Sequence, residues 1–289
     1  MSELIISGST PASLNAHKYM RKTLGGKIKT AAKSKSSTAI KLTIFILIAL
    51  TVYAFISFDY KSINMAKALG DTWSNVKVLF GAPKLSYSTL PDALNSLWIT
   101  FSLGVLSTIF GAIIAVFGAL LCAKNISNHV VANIIKSFVA FIRAFPTILW
   151  VLIFTVAAGL GSVAAVVGLT FHSAGYLIKA YAESIETIEN GTIEALKASG
   201  ASYWQIVFQA ILPSSVGYMV AWTFLRFEIN FVNAIAVGAA AGAGGIGFDM
   251  FMAGNFYFDL GELGFLTYIV VGAVILLEAA ATKVKEKVK

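Results

Sequence analysis

Long apolar runs separated by short polar segments dominate the chain. No charged residue occurs in 93–123 or in 144–178, and further apolar stretches cover 42–58, 213–237 and 263–281. A helix that crosses the hydrocarbon core of a bilayer needs about 20 apolar residues. The pattern therefore predicts an all-α membrane protein.

The charge-free run over 144–178 is too long for one spanning helix. Gly159 and Gly161 are the natural break, because glycine readily leaves the helical conformation. We therefore expect a third span over 131–158 and a fourth over 160–178. With the other apolar stretches, this predicts six transmembrane helices.

The distribution of basic residues favours a topology with both termini in the cytoplasm. Lysine and arginine concentrate in 1–41, 124–130, 179–212 and 282–289, and in the adjoining start of the third span. The loops on the other side hold four lysines and six acidic residues. Cytoplasmic loops carry an excess of basic residues, so six spans satisfy this rule. The predicted segments are a flexible, basic cytoplasmic tail (1–41), a first transmembrane helix (42–58), an extracytoplasmic segment (59–91), a transmembrane domain (92–282) and a second basic tail (283–289).

Composition excludes a soluble enzyme. The 289 residues are 57% hydrophobic and 12% charged, whereas soluble domains are about 25% charged. The net charge of +8 resides mainly in basic clusters beside spans, which indicates contact with anionic lipid rather than with nucleic acid. Cys122 is the only cysteine, so the chain has no internal disulfide and no cysteine-based metal cluster.

The loop between the fourth and fifth spans has the pattern of two short helices joined by a sharp turn. Thr192 is a candidate N-cap, with Glu194 in the first turn, where the helix dipole favours a carboxylate. Gly200 is expected to end this helix in the left-handed conformation. Ser202 and Gln205 then form a capping box that starts a second helix.

The same loop resembles the EAA loop of bacterial ATP-binding cassette (ABC) importer permeases. Leu196 and Ala210 depart from that pattern, but both are apolar. The matching residues are Glu194, Ala195, Gly200, Leu212 and Pro213. The resemblance implies that the loop, within 183–213, docks on an ATP-binding subunit and transmits its motion to the spans.

A wider resemblance covers about residues 90 to 282. The segments 143–154, 171–175, 226–230 and 242–247 are similar to the permeases of phosphonate importers. The resemblance implies a type I importer permease in the bacterial cytoplasmic membrane, without catalytic residues, metal or cofactor. It also implies a second permease subunit, identical or different, two ATP-binding subunits that bind the ATP, and an extracytoplasmic substrate-binding protein.

Polar residues within the spans are candidates for the substrate path. Arg226 lies thirteen residues after Pro213, which is roughly 20 Å along a helix and near the membrane midplane. Asn230 follows one turn later on the same face, and Glu228 points elsewhere. Arg226 and Asn230 either face an anion path or belong to an interhelical pair between Arg226 and Glu228. His172 is either a substrate ligand or a buried, hydrogen-bonded histidine.

Several alternatives stay open at this point. The glycine-rich residues 238–247 suit either a flexible turn or close helix packing. The same permease class with phosphate, phosphite or an amino acid as substrate is the first functional alternative. A secondary transporter driven by an ion gradient is less favoured, and Glu228 is the intramembrane carboxylate that keeps it open. A membrane-embedded hydrolase would need polar partners for His172, and none is evident.

Overall fold

The computed structural model describes residues 20–22, 28–30, 35–58 and 63–288. They fall into two compact units, divided between Ala68 and Leu69. The predicted all-α membrane class is confirmed, apart from one short antiparallel pair of strands, β1 (Met20–Lys22) and β2 (Ile28–Thr30). The pair lies within the segment predicted to be a flexible tail.

The first unit contains the helix α1 (Lys35–Ser57). This helix begins seven residues before the predicted start of the first span at 42. It is apolar on all sides, and its described side chains are exposed in the isolated chain. Such a helix has no polar face to turn to water, so a lipid environment suits it.

The second unit, which begins at Leu69, contains the remaining helices, the first of which starts four residues earlier, within the first unit. These are α2 (Met65–Gly81), α3 (Leu90–Cys122), α4 (His129–Ala144), α5 (Thr147–Ala158), α6 (Ser162–Glu186), α7 (Asn190–Ala198), α8 (Tyr203–Ile206), α9 (Leu212–Ala241), α10 (Ile246–Asn255) and α11 (Leu260–Val288). A π-helical turn, Val207–Ile211, joins α8 to α9. The helix α2 lies in the segment predicted as an extracytoplasmic connection, where no element had been expected.

Within the described ranges, five helices are long and apolar enough to cross a membrane, and a bent pair makes a sixth candidate. The prediction of a single third helix over 131–158 is wrong, because α4 and α5 meet at an angle of 90°. Pro146 separates them: proline has no N–H to donate and restricts the residue before it. The predicted break before the fourth span is confirmed, since Gly159 and Gly161 have φ of 83° and 140°.

Small residues allow the spanning helices to pack closely. A Cβ atom on Gly111 of α3 would lie 2.8 Å from the Cβ of Ser173 on α6. A Cβ atom on Gly168 of α6 would lie 2.5 Å from the Cα of Val151 on α5. Helix pairs in membranes approach closely where such residues meet. The close approach of α3 and α6 brings their polar side chains within reach of α9.

The glycine-rich segment contains both a turn and a site of close helix packing, at different residues. Gly242, Gly244 and Gly245 have positive φ and form the turn between α9 and α10. Gly247 packs so tightly that a Cβ atom would lie 1.8 Å from the carbonyl oxygen of Ile235. The turn therefore folds α10 back against α9.

Candidate functional site: a buried polar cluster and a helix–turn–helix loop

Arg226 of α9 is buried among the spanning helices, with 2% of its surface exposed. Its Nε donates a hydrogen bond to the Ser173 hydroxyl at 3.0 Å. A terminal nitrogen lies 2.8 Å from Nδ1 of His172. Both partners belong to α6, so the guanidinium joins two helices through neutral groups.

Asn230 lies on the same face of α9, one turn after Arg226, and is completely buried. Its amide nitrogen lies 2.8 Å from the hydroxyl oxygens of both Ser173 and Thr108. The Ser173 oxygen accepts hydrogen bonds from Arg226 and Asn230, which uses both of its lone pairs. The single hydroxyl proton is left for the Leu169 carbonyl or the Asn230 amide oxygen. Ser173 is therefore the centre of the cluster.

The contacts of His172 define its tautomer. Arg226 can only donate, so Nδ1 of His172 accepts and carries no proton. The Thr147 hydroxyl at the start of α5 lies 3.0 Å from the same nitrogen. The neutral ring then carries its proton on Nε2. His172 as a whole is partly exposed, and none of its named contacts uses this N–H.

Tyr176 of α6 contacts two arginines. Its ring centroid lies 5.3 Å from the guanidinium carbon of Arg226 and 5.7 Å from that of Arg143, at the end of α4. Each distance is within the range of a cation–π interaction. One aromatic ring is thus shared by a buried guanidinium, that of Arg226, and an exposed one, that of Arg143.

Glu228 occupies a different part of the molecule. It lines a cavity of about 330 Å³ with Leu277 and Glu278 of α11. The structure therefore brings together three of the four candidate path residues, His172, Arg226 and Asn230, and places Glu228 against another helix.

Sequence reasoning missed Ser173 and Thr108. Both are small polar residues within apolar spans, which is the available signal, since such residues often hydrogen-bond across membrane helices. Small hydroxyl residues are frequent in the spans of this chain. The pattern alone therefore does not distinguish Ser173 and Thr108 from the others.

The loop between α6 and α9 has the predicted helix–turn–helix form. Gly200 has φ of 85°, in the left-handed region. The capping box is present. The backbone N–H of Ser202 donates to Gln205 Oε1 at 2.7 Å, and the backbone N–H of Gln205 donates to the Ser202 hydroxyl at 3.4 Å. The prediction that Thr192 caps the first helix is wrong. The N–H of Thr192 already bonds the carbonyl of Glu189, because α7 begins at Asn190.

The loop is anchored on one side and exposed on the other. Ile193 of α7 is buried, together with Ile206 and Val207 at the second helix. Glu194 and Ala195 are exposed on the opposite side of α7. The loop therefore has a fixed position and a free surface.

The last two residues of the loop pattern begin the next spanning helix. Leu212 and Pro213 are the first residues of α9, directly after the π turn. In that turn the N–H of Leu212 bonds the carbonyl of Val207, five residues back. The loop and the span that carries Arg226 are thus continuous.

Exposed aromatic side chains extend the free surface of the loop. Trp204 and Phe208 are 55% and 63% exposed, and their rings stack with centroids 5.9 Å apart. A stacked pair of this size on a surface is typical of a protein contact. Across the described part of the chain, no group of three His, Cys, Asp or Glu side chains could hold a metal ion.

Apolar helices around a buried polar cluster, with an exposed helix pair at one end, define a multi-pass membrane transport subunit. The chain belongs to the family of binding-protein-dependent transport system inner membrane components, whose model matches residues 111–282. Members of this family are the membrane-embedded components of transport systems that depend on a binding protein.

Several known proteins are similar to this chain. The phosphate-import permease protein PhnE of Mycolicibacterium smegmatis is 29% identical over 62% of this chain, but only 32% of its own length is matched. The putative phosphite transport system permease protein HtxC of Stutzerimonas stutzeri is 29% identical over 88% of this chain and 86% of its own. The inward-facing MetNI methionine ABC transporter contains a chain with the same fold, at a TM-score of 0.63 and 24% identity, over 71% of this chain and all of that one.

Proposed function

We propose that this permease translocates a small phosphorus oxyanion: phosphonate, phosphite or phosphate. The observation that carries the proposal is the buried Arg226, whose named contacts, Ser173, His172 and Tyr176, are all neutral. A guanidinium removed from water is costly unless an opposite charge compensates it. An anion in transit supplies that charge, and the relatives are named for phosphate and phosphite transport.

In this proposal His172 and Arg226 have different roles in binding the oxyanion. Nε2–H of the partly exposed His172 donates directly to the oxyanion, while the Arg226 charge behind it attracts the anion. Ser173 accepts a hydrogen bond from the guanidinium, and Asn230 in turn bonds Ser173. One neutral donor gives a weak site, and weak binding suits a permease that must release its substrate.

The proposed importer contains further subunits. Two ATP-binding subunits would dock on the EAA loop through the exposed Glu194, Ala195 and their neighbours, and would bind and hydrolyse the ATP. A second permease subunit and an extracytoplasmic binding protein would complete the assembly. Closure of the ATP-binding subunits would move the loop, and the continuous helix from Tyr203 to Ala241 would carry that motion to Arg226.

The substrate class is tested by uptake into proteoliposomes that contain the complete importer. We expect ATP-dependent uptake of at least one of phosphite, phosphate and methylphosphonate, and no uptake of methionine under the same conditions. Uptake of methionine without any oxyanion would contradict the proposal. Uptake driven by an ion gradient in the absence of ATP would instead support a secondary transporter.

The proposed topology places both termini in the cytoplasm, since the basic segments then lie on one side. In a Cys122→Ser background, a membrane-impermeant thiol reagent applied to intact cells should label Asn75→Cys and not Lys197→Cys. Both native side chains are exposed, so the difference reports the side of the membrane and not burial. Permeabilised cells are the control and should give labelling at both positions. Labelling of Lys197→Cys in intact cells would invert or refute the topology.

A further inference from the structure

One face of α6 carries a row of polar and aromatic side chains from the Arg226 cluster to the end of the helix. The row is His172, Tyr176, Lys179, Glu183 and Glu186. Successive members are three or four residues apart, so they lie on one side of the helix. Fourteen residues at 1.5 Å each make the row about 21 Å long. Under the proposed topology, it runs from mid-membrane to the cytoplasmic surface.

A cavity of about 290 Å³ lies between α4 and α6, at the end of this row that contains Glu186. Three cations line it, Lys136, Arg143 and Lys179, together with two carboxylates. Lys136 is paired with Glu186 at 2.8 Å, and Lys179 with Glu183 at 3.3 Å. The charges of the two lysines are therefore balanced within the cavity wall.

Arg143 differs from the two lysines. Its named contact is the ring of Tyr176, and its side chain is exposed. A guanidinium that is attracted to an aromatic ring by its charge keeps its N–H groups available as hydrogen-bond donors. These N–H groups suit two parallel hydrogen bonds to a phosphoryl group. Arg143 is thus the cation of this cavity that is best placed to bind an oxyanion.

Arg143, which lines the cavity, and Arg226, which belongs to the buried cluster, both lie near the ring of Tyr176. The two ring distances, 5.7 and 5.3 Å, bring the guanidinium carbons to within about 11 Å of each other. Two like charges at this separation repel, and an anion bound against either one relieves the repulsion. An oxyanion held at Arg143 would therefore still be attracted by the charge of Arg226.

We propose that Arg143 forms a second oxyanion site, and that the cavity beside it is the exit through which the anion leaves toward the cytoplasm. The proposal rests on the proposed function, since it assumes that an oxyanion reaches Arg226. Tyr176 is a positioning residue that holds the two guanidinium groups at a fixed separation. The paired lysines keep the exit only weakly positive, so that the anion is released.

The central test replaces Arg143 by glutamine in the complete importer. Loss of a charged, two-pronged donor should lower phosphite uptake about tenfold. The number of anions imported per ATP hydrolysed should fall as well, whereas a folding defect would lower uptake and hydrolysis together. Lys77→Gln is the matched control, because Lys77 also lies over an aromatic ring, Trp73, at 5.6 Å. It should transport as the unmodified protein does.

Two variants of Tyr176 test the positioning role. Tyr176→Phe keeps the ring and should retain most of the uptake, since the ring face attracts both cations. Tyr176→Leu removes the ring, so its phosphite uptake should fall nearly to that of the Arg143→Gln variant. Equal uptake by the two variants of Tyr176 would refute the positioning role.

The outcomes separate this proposal from the proposed function. If the unmodified importer transports phosphite and Arg143→Gln transports it equally well, the second site is refuted and the proposed function stands. If the unmodified importer transports no oxyanion, both proposals fail. Vesicles of phosphatidylcholine alone and vesicles with phosphatidylglycerol should show the same defect. A defect confined to the anionic vesicles would assign Arg143 to lipid headgroups and overturn the proposal.

Discussion

Replacing Arg226 by glutamine is expected to lower oxyanion uptake by about 10- to 100-fold, because the attraction between the buried charge and the anion is worth about 1–3 kcal/mol. The substitution removes the positive charge and changes the contacts to Ser173 and His172. Arg226→Lys should recover little of the uptake, since an ammonium group cannot reproduce the planar guanidinium that bonds both Ser173 and His172. Initial uptake rates in proteoliposomes provide the measurement, normalised to the amount of assembled complex.

Glu228 supplies the control for the alternative explanation. If Arg226 served only to pair with Glu228, the double substitution Arg226→Gln/Glu228→Gln would recover the uptake that each single one removes. We expect the double variant to stay as impaired as Arg226→Gln, because Arg226 contacts α6 while Glu228 lines a cavity with α11. Recovered uptake would contradict the anion path and support a structural ion pair.

Gly200→Val is expected to abolish most uptake while the subunit still inserts into the membrane. The residue has φ of 85°, and a left-handed conformation costs a residue with a Cβ atom roughly 1–2 kcal/mol, more if it is β-branched. Among the described residues, no atom lies within 4 Å of the added Cβ, so the strain comes from the turn itself and not from a clash. The strain should reorient α7 relative to α8 and uncouple the loop from the ATP-binding subunit.

Gly191→Val is the matched control for Gly200→Val. A Cβ atom added at Gly191 would also meet open space within the described part of the chain, but Gly191 lies in the first turn of α7 without a positive φ. Its uptake and substrate-stimulated ATP hydrolysis should remain close to those of the unmodified importer. Full coupled activity of Gly200→Val in the same assay would refute a role for the turn in coupling.

The spanning helices could be predicted because their signal is local. A charge-free run such as 93–123 has few stable environments other than lipid or a large core, and α3 covers nearly the same residues. The bend at Pro146 was missed for a physical reason. Spanning helices often tolerate proline, since neighbouring helices satisfy the freed backbone groups, so the residue alone does not determine a 90° break.

The buried cluster could be predicted only in part. The four-residue spacing of Arg226 and Asn230 places them on one face of a helix, and the structure shows both buried there. Their partners Ser173 and Thr108 lie 53 and 122 residues away in the chain from the atoms they bind. Such pairings depend on how α3, α6 and α9 cross, which no periodicity within one helix specifies.

The π turn at Val207–Ile211 has a consequence for how this gene can change over time. It contains one residue more than an α-helix would need to join α8 to α9 in the same path. Deletion of one residue there would restore regular α-helix and leave α8 in nearly the same orientation relative to Arg226. The same deletion in the regular helix between the π turn and Arg226 would instead rotate Trp204 and the turn at Gly200 by about 100° around the axis. Loss of one residue is therefore expected to be tolerated within the π turn and excluded from the helix that follows it.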